Sequence, residues 1–206
     1  MVRFVVMAAG QATRMGQDKL MLPWRRTTVL GSVLETVIEA LGFQDESSTE
    51  IYVVARRPIQ DFVSENIISK FKNNGGVWSQ VSNPQPLADT IRLSLQDLKG
   101  STRAIGFLPG DQVGVTAQGL AGCLWQVQQT LSDFLVPMAG DQPGSPVFFH
   151  RKYVPELLAL QGEQGGKEVL NRYPERWKKY TVEASLFQDV DTPEEYQALL
   201  ETREGT

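Results

Sequence analysis

The chain has 206 residues, of which 41% are hydrophobic and 21% are charged, and 20 basic against 24 acidic side chains give a net charge of −4. This balance excludes a disordered chain and a coiled coil, and at about 150 residues per domain the length predicts one domain, 1–206. An acidic chain has no general attraction for nucleic acid or an anionic membrane, so we expect neither as a partner. Because Cys123 and His150 are each the only residue of their type, a disulfide within the chain and a multi-histidine metal site are excluded.

Buried strands alternate with amphipathic helices along the first two thirds of the chain. Continuous apolar runs predict strands at 4–8, 51–55, 77–81, 104–108 and 134–138. Helical spacing of apolar residues predicts helices that begin at Thr28 and at Pro58, one over 89–98, and one in the uncharged, glutamine-rich segment 112–132. This alternation is typical of a parallel sheet covered by helices on both faces, which binds ligands at the carboxyl ends of its strands.

The last third of the chain has a different pattern. It predicts short strands at 146–149, 180–182 and 187–190, helices over 153–160 and from Lys167, and a helix that begins at Thr192. We therefore expect an α/β fold of three layers, with a mostly parallel sheet and a small antiparallel addition. The apolar run at the amino terminus is interpreted as a strand, and five glutamines make segment 112–132 too polar to span a membrane, so we expect a cytoplasmic protein.

The loop after the first predicted strand carries glycines and basic residues. Gly10 and Gly16 allow backbone amides to approach an anion, and Arg14 and Lys19 add positive charge, so the loop suits a polyphosphate. It is neither a Walker loop nor the Gly-x-Gly-x-x-Gly dinucleotide motif. The alternative is an ordinary turn with two solvated basic residues.

Three aspartates are candidates for a metal site. Asp111 follows the strand at 104–108, and Asp189 and Asp191 lie on the same side of the predicted strand 187–190. Asp111 and Asp191 together can hold one Mg²⁺, which proteins often bind through one or two carboxylates and substrate phosphates. The alternatives are a turn aspartate at Asp111 and a contribution of Asp191 to the start of the next helix.

Four segments in the same order resemble a known family. They are 7–24 (Met-Ala-Ala-Gly-Gln-Ala-Thr-Arg-Met-Gly-Gln-Asp-Lys-Leu-Met-Leu-Pro-Trp), 109–112 (Pro-Gly-Asp-Gln), 144–147 (Gly-Ser-Pro-Val) and 189–194 (Asp-Val-Asp-Thr-Pro-Glu). The chain resembles the MobA-like nucleotidyltransferases over about residues 2–200, and among them the molybdenum cofactor cytidylyltransferases most. The first segment is long and specific. The other three are short, and they support the resemblance mainly through their order and spacing along the chain.

The resemblance implies a Rossmann-like nucleotidyltransferase that moves CMP from CTP to the phosphate of a pterin acceptor, molybdopterin, and releases pyrophosphate. It implies a nucleotide-binding core over 1–140, an acceptor-side part over 141–206, and a molybdoenzyme or its maturation factor as a partner. Mg²⁺ would bind to Asp111 and Asp191, and Arg14, Lys19 and Asp111 would be catalytic. The nucleotide-binding residues would be Ala8, Ala9, Gly10, Arg14, Gly16, Lys19, Thr90 and Asp111.

The chain also departs from the family pattern. Val113 replaces the proline of the Gly-Asp-x-Pro motif, and Pro86 and Asp89 alter the helix start that helps to hold cytidine in relatives. Relatives that transfer GMP have Ala-Gly-Gly where this chain has Ala8-Ala9-Gly10, so cytosine is favoured because the side chain of Ala9 narrows the base site. Two alternatives stay open: the same reaction with a sugar phosphate or methylerythritol phosphate as acceptor, and an accessory protein that binds the nucleotide or cofactor without catalysis.

Overall fold

The computed structural model describes residues 1–10, 18–43 and 48–204, with side chains as far as residue 201. In this part of the chain the strands are β1 (Val2–Ala8), β2 (Pro23–Trp24), β3 (Thr27–Thr28), β4 (Thr49–Ala55), β5 (Val77–Gln80), β6 (Ala104–Pro109), β7 (Phe134–Ala139), β8 (Gln142–Pro143), β9 (Val147–His150) and β10 (Trp177–Thr181). The α-helices are α1 (Val29–Leu41), α2 (Glu65–Asn73), α3 (Leu87–Ser94), α4 (Ala117–Thr130), α5 (Val154–Leu158), α6 (Gly166–Leu170) and α7 (Pro193–Glu204).

One mixed sheet forms the centre of the fold, with the strand order β10-β7-β9-β6-β1-β4-β5 and with β8 paired to β7. The strands β6, β1, β4 and β5 run parallel, and so do β10 and β7. Only β9 separates these two groups, and it is antiparallel to both β6 and β7. The antiparallel addition expected from the sequence therefore includes a strand inside the sheet. A separate hairpin of β2 and β3 follows the first loop.

Helices cover both faces of this sheet, as the alternating pattern predicts. Phe4 and Val6 of β1 belong to one cluster of buried apolar residues, which includes the inner sides of α1, α2 and α4. Val5 belongs to a second cluster on the opposite face, with residues of α3, α5 and α6. Burial in the first cluster raises the pKa of the Cys123 thiol to about 12. Among the described residues, no helix combines the length and the apolar character that crossing a membrane requires.

The predicted helix at Pro58 is interrupted in the structure. A 3-10 turn covers Ile59–Asp61, and α2 begins only at Glu65. The carbonyl of Phe62 accepts a hydrogen bond from the Thr27 hydroxyl at 2.8 Å. Because that contact fixes the direction of the Phe62 carbonyl, the chain changes direction before the second helix begins.

The third helix is shorter than the predicted 89–98, since α3 spans Leu87–Ser94. The guanidinium of Arg3 explains where it ends. It donates hydrogen bonds to the carbonyls of Ser94 at 3.0 Å, Gln96 at 2.6 Å and Asp97 at 3.2 Å, and Asp97 has a left-handed φ of 52°. These carbonyls are satisfied by a side chain from β1, so no further helical turn forms.

The predicted strand at 187–190 is wrong, and the strand predicted at 180–182 is β10, which begins at Trp177. A 3-10 turn covers Ala184–Phe187, and the residues after it have no regular secondary structure. They pair instead with the loop after β6, through hydrogen bonds from Gly114 N to the Gln188 carbonyl at 2.8 Å and from Val190 N to the Asp111 carbonyl at 3.2 Å. Val190 is buried in this irregular segment, and the strand prediction did not indicate its pairing with the loop after β6.

The helix starts predicted at Thr28 and Thr192 are confirmed. The Thr28 hydroxyl accepts a hydrogen bond from Gly31 N at 3.0 Å, which caps α1. The Thr192 hydroxyl accepts from Glu195 N at 3.2 Å, and the Glu195 carboxylate accepts from Thr192 N at 2.9 Å. This reciprocal pair of hydrogen bonds is a capping box at the start of α7.

Candidate active site

A cleft of about 350 Å³ opens at the carboxyl ends of β1 and β6. This is the edge at which ligands bind in open parallel sheets. Five of the residues predicted for the site line the cleft, namely Ala8, Gly10, Lys19, Thr90 and Asp111. The cleft therefore brings together the start of the first loop, the end of that loop, α3 and the loop after β6.

Lys19 lies between two carboxylates. Its ammonium forms an ion pair with Asp111 and donates a hydrogen bond to Oδ1 of Asp191 at 2.9 Å. The side chain of Lys19 is only 19% exposed. Burial disfavours its charged form, but the charges and hydrogen bonds of the two aspartates outweigh burial, so the pKa of Lys19 is raised.

The chain after β10 brings Asp191 to this point. Val190 is fully buried, and its amide donates to the carbonyl of Asp111, so the backbones of the two aspartate loops are joined directly. The Glu195 carboxylate also accepts a hydrogen bond from Asp191 N at 3.1 Å. Gly114 allows this packing, because a Cβ there would overlap the Ser185 carbonyl.

The carboxyl group of Asp189 also interacts electrostatically with Asp111 and Asp191. Burial raises the pKa of its carboxyl, and the nearby charges of Asp191 and Asp111 raise it further, while Lys19 acts in the opposite direction. The three aspartates are therefore close enough to influence one another. In the described part of the chain, however, no three acidic, histidine or cysteine side chains are arranged to hold a metal ion.

Asp111 and Asp191 alone fit a hard divalent cation. Both contact a single ammonium nitrogen, so their carboxylates converge on a point that one small cation can fill. Carboxylate oxygens are the ligands that Mg²⁺ prefers, and one or two of them suffice when substrate phosphates and water complete the shell. In the structure the ammonium of Lys19 occupies this point.

The other predicted nucleotide-binding residues have varied positions. Ala9 is fully buried beside the cleft and does not line it, and its carbonyl accepts a hydrogen bond from Gln85 N at 3.0 Å. A side chain at Ala9 can therefore narrow a base site only indirectly. Thr90 is buried, and its hydroxyl donates to the Pro86 carbonyl at 3.3 Å. Arg14 and Gly16 lie outside the described residues.

Sequence reasoning missed other residues of the cleft. Asp18, Gln85 and Glu163 also line it, and Asp18 pairs with the guanidinium of Arg56 at 3.0 Å. The position of Asp18 within the first resembling segment was a usable signal. Glu163 had none, because a glutamate in a polar loop is an ordinary surface residue.

The two departures from the family pattern have simple structural explanations. Val113 is buried. Its amide donates to the Asp111 carbonyl at 2.9 Å, which a proline could not do. Asp89 forms an ion pair with Arg92 on α3 and does not line the cleft, so its charge is compensated outside the cleft.

A second pocket of about 300 Å³ adjoins the first, and Met7, Leu87 and Pro109 line both. Its walls are mostly apolar and include three aromatic side chains, and Lys167 and Asn171 add polar groups. The aromatic members are Phe107, Phe149 and Trp177. Gly144 and Ser145 also line this pocket, and Gln112 holds them in place by donating to the Ser145 carbonyl at 2.8 Å.

Comparison with protein families decides the affiliation of the chain. The MobA-like NTP transferase domain matches residues 4–177. The chain belongs to the MobA-like NTP transferase family. No curated protein matches it in sequence.

Members of the family and related transferases are also similar in structure. Rv0371c from Mycobacterium tuberculosis is 25% identical, with a TM-score of 0.75 over 98% of both chains, and it has also been solved as a complex with manganese. Molybdopterin-guanine dinucleotide biosynthesis protein A from Archaeoglobus fulgidus is 17% identical, with a TM-score of 0.65 over 99% of this chain and all of that one. A cytidylyltransferase from Leptospira borgpetersenii is 19% identical, with a TM-score of 0.62 over 100% of this chain and 87% of that one. The fold is therefore the Rossmann-like nucleotidyltransferase fold.

Proposed function

We propose that this nucleotidyltransferase transfers CMP from CTP to the phosphate of molybdopterin in the molybdenum cofactor and releases pyrophosphate. The observation that carries the proposal is the convergence of Lys19, Asp111 and Asp191 on one edge of the cleft. A pair of carboxylates with a neighbouring lysine suits a reaction whose substrates and products are phosphates. We infer that the reaction takes place in the cytoplasm and serves a molybdoenzyme or its maturation factor.

The charge of the cleft supports a metal-dependent reaction. Among its described lining residues, Lys19 is the basic side chain, and three acidic residues, Asp18, Asp111 and Glu163, line the same cleft. A triphosphate would be repelled by these acids without an additional cation. Asp111 and Asp191 would hold Mg²⁺, which would neutralise phosphate charge in the complex, and the manganese complex of Rv0371c supports a divalent ion at this kind of site.

Lys19 would change partners when substrate binds. In the free protein its ammonium pairs with the two aspartates. The triphosphate offers it a stronger anionic partner, and movement of Lys19 toward the phosphates would free the carboxylates for the cation. Lys19 would then stabilise the charge that develops on the departing pyrophosphate.

The transfer itself needs no general base. An oxygen of the acceptor phosphate attacks the α-phosphorus of CTP, and the bond between that phosphorus and the bridging oxygen breaks. The electron pair leaves with pyrophosphate, and the acceptor oxygen is already ionised. The protein therefore acts by positioning and electrostatic stabilisation, which fits a chain with one histidine.

The choice of CTP depends on the resemblance of Ala8-Ala9-Gly10 to the cytidylyl-transferring relatives. An unpaired negative charge at Asp89 near the expected base would be an objection to CTP. The ion pair of Asp89 with Arg92 removes that objection. Thr90 lines the cleft, but its side chain is buried and its hydroxyl donates to the Pro86 carbonyl, so a contact with the nucleotide would require that hydrogen bond to be exchanged. Among the described residues, none lies within 4 Å of a Cβ built at Gly10, which is compatible with a ligand close to this backbone.

The adjoining pocket supports a pterin as the acceptor. Its aromatic and aliphatic walls suit a flat ring, and Lys167 supplies a positive charge for a phosphate. A sugar phosphate or methylerythritol phosphate is the second candidate, and its hydroxyl groups would meet few polar partners on these walls. The two pockets share three lining residues, which brings an acceptor there next to the α-phosphate of a nucleotide in the first cleft.

An acceptor screen tests the proposal. The purified protein is incubated with CTP, Mg²⁺ and either molybdenum cofactor, a sugar phosphate or methylerythritol phosphate, and released pyrophosphate is measured. Release with molybdenum cofactor alone is expected. Release only with another acceptor would assign the second candidate function, and binding of CTP without pyrophosphate release under all conditions would indicate an accessory protein.

A further inference from the structure

Arg56 lies directly beside the phosphate-binding edge although it does not line the cleft. It follows β4, and the register pairs Ala55 of β4 with Ala8 of β1. The carboxyl ends of these two strands therefore lie together, so Arg56 and Gly10 project from the same edge of the sheet. The adjacent backbone is fixed, because the Trp78 indole N–H donates to the Arg57 carbonyl at 3.0 Å.

Arg56 is paired with the residue before Lys19. Its Nη2 is 3.0 Å from Asp18 Oδ2, and Nε of Arg57 is 3.5 Å from the same oxygen. The two arginines differ in burial, since the side chain of Arg56 is 24% exposed and that of Arg57 is 50% exposed. Arg57 also contacts Asp61 at 3.4 Å. Arg56 is therefore the closer and more buried partner of Asp18.

Asp18 is the residue from which the turn that carries Lys19 begins. It precedes a 3-10 turn, Lys19–Met21, in which Met21 N donates to the Asp18 carbonyl at 3.0 Å. Leu20 of this turn is buried in the core. The Asp18 side chain makes no hydrogen bond to this turn, so its contact with Arg56 acts on Lys19 only by holding the Asp18 backbone at the start of the turn.

Asp18 also places a negative charge on the wall of a cleft that would bind a triphosphate. Its Oδ1 and the Nε of Arg56 are buried and have no hydrogen-bond partner among the described residues. The attraction between the two side chains therefore depends mainly on the contact through Oδ2. Loss of the guanidinium would leave a largely buried carboxylate without its nearest cation.

We propose that Arg56 is a positioning residue for phosphate binding, which orients Lys19 through Asp18 and neutralises the Asp18 carboxylate. The inference rests on the proposed phosphate-binding role of Lys19 and is independent of the nucleobase and of the acceptor. It adds to the site a residue that touches neither substrate nor metal. Arg57 supplies a matched comparison from the next position in the chain.

Calorimetric titration with Mg²⁺-pyrophosphate and with Mg²⁺-CTP tests this role. Arg56→Gln should weaken both ligands about tenfold or more, whereas Arg57→Gln should change either affinity less than about threefold. Arg56→Lys should recover a large part of the loss, because it restores the charge. The double variant Asp18→Asn with Arg56→Gln should bind more tightly than Arg56→Gln alone, because no unpaired carboxylate remains.

Several results would overturn the inference. They are unchanged affinity in Arg56→Gln, equal losses in the Arg56 and Arg57 variants, absence of recovery in Arg56→Lys, and a double variant no better than Arg56→Gln. The melting temperature of each variant is measured in parallel, and a loss of affinity that merely follows a loss of folded protein also contradicts it. If the wild-type protein binds Mg²⁺-pyrophosphate but does not turn over CTP, the proposed reaction fails and the Arg56 test still stands.

Discussion

The ammonium of Lys19 lies 2.9 Å from the carboxylate of Asp191, although the two residues are 172 positions apart in the chain. Asp111, from the middle of the chain, completes the group. Ion pairs thus connect two loops at the carboxyl edge of the sheet with the segment before α7. This contact explains how the last part of the chain becomes part of a site built mainly by the first half.

Replacement of Lys19 should affect catalysis far more than folding. Lys19→Ala should lower kcat/KM for CTP about 10²-fold or more, since it removes a charge that stabilises the leaving group. The free energy of unfolding should change by only about 1 kcal/mol, because the ion pair is partly solvated. Steady-state kinetics and urea unfolding measure the two effects. Lys178→Ala, at an exposed residue of β10, is the control, and unfolding of Lys19→Ala would contradict the assignment of Lys19 to the phosphates.

The two aspartates before α7 should differ in their effect on metal binding. Asp191→Asn should raise the Mg²⁺ concentration for half-maximal activity about tenfold, because it removes one of the two proposed carboxylate ligands. Asp189→Asn should have a smaller effect, since Asp189 influences the site through its charge. Mn²⁺ binding followed by electron paramagnetic resonance gives an independent measurement. A larger effect at Asp189 would reverse the ligand assignment.

A methyl group added at Gly114, which does not line the cleft, should disturb the site indirectly. Gly114→Ala would force the Ser185 carbonyl and the Gln188 side chain away, and with them the segment that carries Asp191. Overpacking of this kind costs about 1–3 kcal/mol, so both the melting temperature and Mn²⁺ affinity should fall. Gly100→Ala is the matched control, because no atom of the described part of the chain lies within 4 Å of a Cβ there. If Gly114→Ala melts lower but binds Mn²⁺ normally, the packing does not position Asp191.

A buried ion pair far from the cleft should give stability a defined dependence on pH. Burial raises the pKa of Glu50, but hydrogen bonds and charges from Lys99 and Arg3 outweigh burial, so the pKa lies below its usual value. The ionised pair therefore contributes stability at pH values above the unfolded pKa of Glu50, and this contribution is lost as the pH falls through the folded pKa.

Glu50→Gln should test this contribution. It should destabilise the protein by about 3 kcal/mol at neutral pH, because Arg3 loses a partner 2.8 Å away in a buried environment. The difference in the free energy of unfolding between the variant and the wild type should shrink as the pH falls toward about 3. Urea unfolding across pH measures it, with Glu35→Gln, on the exposed side of α1, as the control. A difference that grows as the pH falls would contradict the direction of the Glu50 pKa shift.

The sequence predicted the parallel part of the fold because its strands are buried on both faces, its helices have apolar residues at helical spacing, and α1 begins at a threonine cap. The hairpin of β2 and β3 and the position of β9 inside the sheet could not be predicted, since pairing partners depend on contacts distant in the chain. The lengths of α3 and α2 depend on the side chains of Arg3 and Thr27, which satisfy carbonyls from outside those helices. Local propensity contains no such information.

The candidate site was predictable where glycine, basic or acidic residues follow a buried strand. Lys19, Asp111 and Asp191 were chosen in this way, although the strand invoked to orient Asp191 does not exist. The pairing of Lys19 with both aspartates was not predicted, because the sequence suggested separate partners, phosphates for the lysine and a metal for the acids. In the structure the opposite charges of the lysine and the aspartates attract one another directly.

Pyrophosphate release from each of the four nucleoside triphosphates, in the presence of Mg²⁺ and purified molybdenum cofactor, tests the central claim most directly. The account predicts release that is fastest with CTP, requires the divalent cation, and falls to background in Asp111→Asn. Absence of release with every triphosphate, from folded protein, would contradict it.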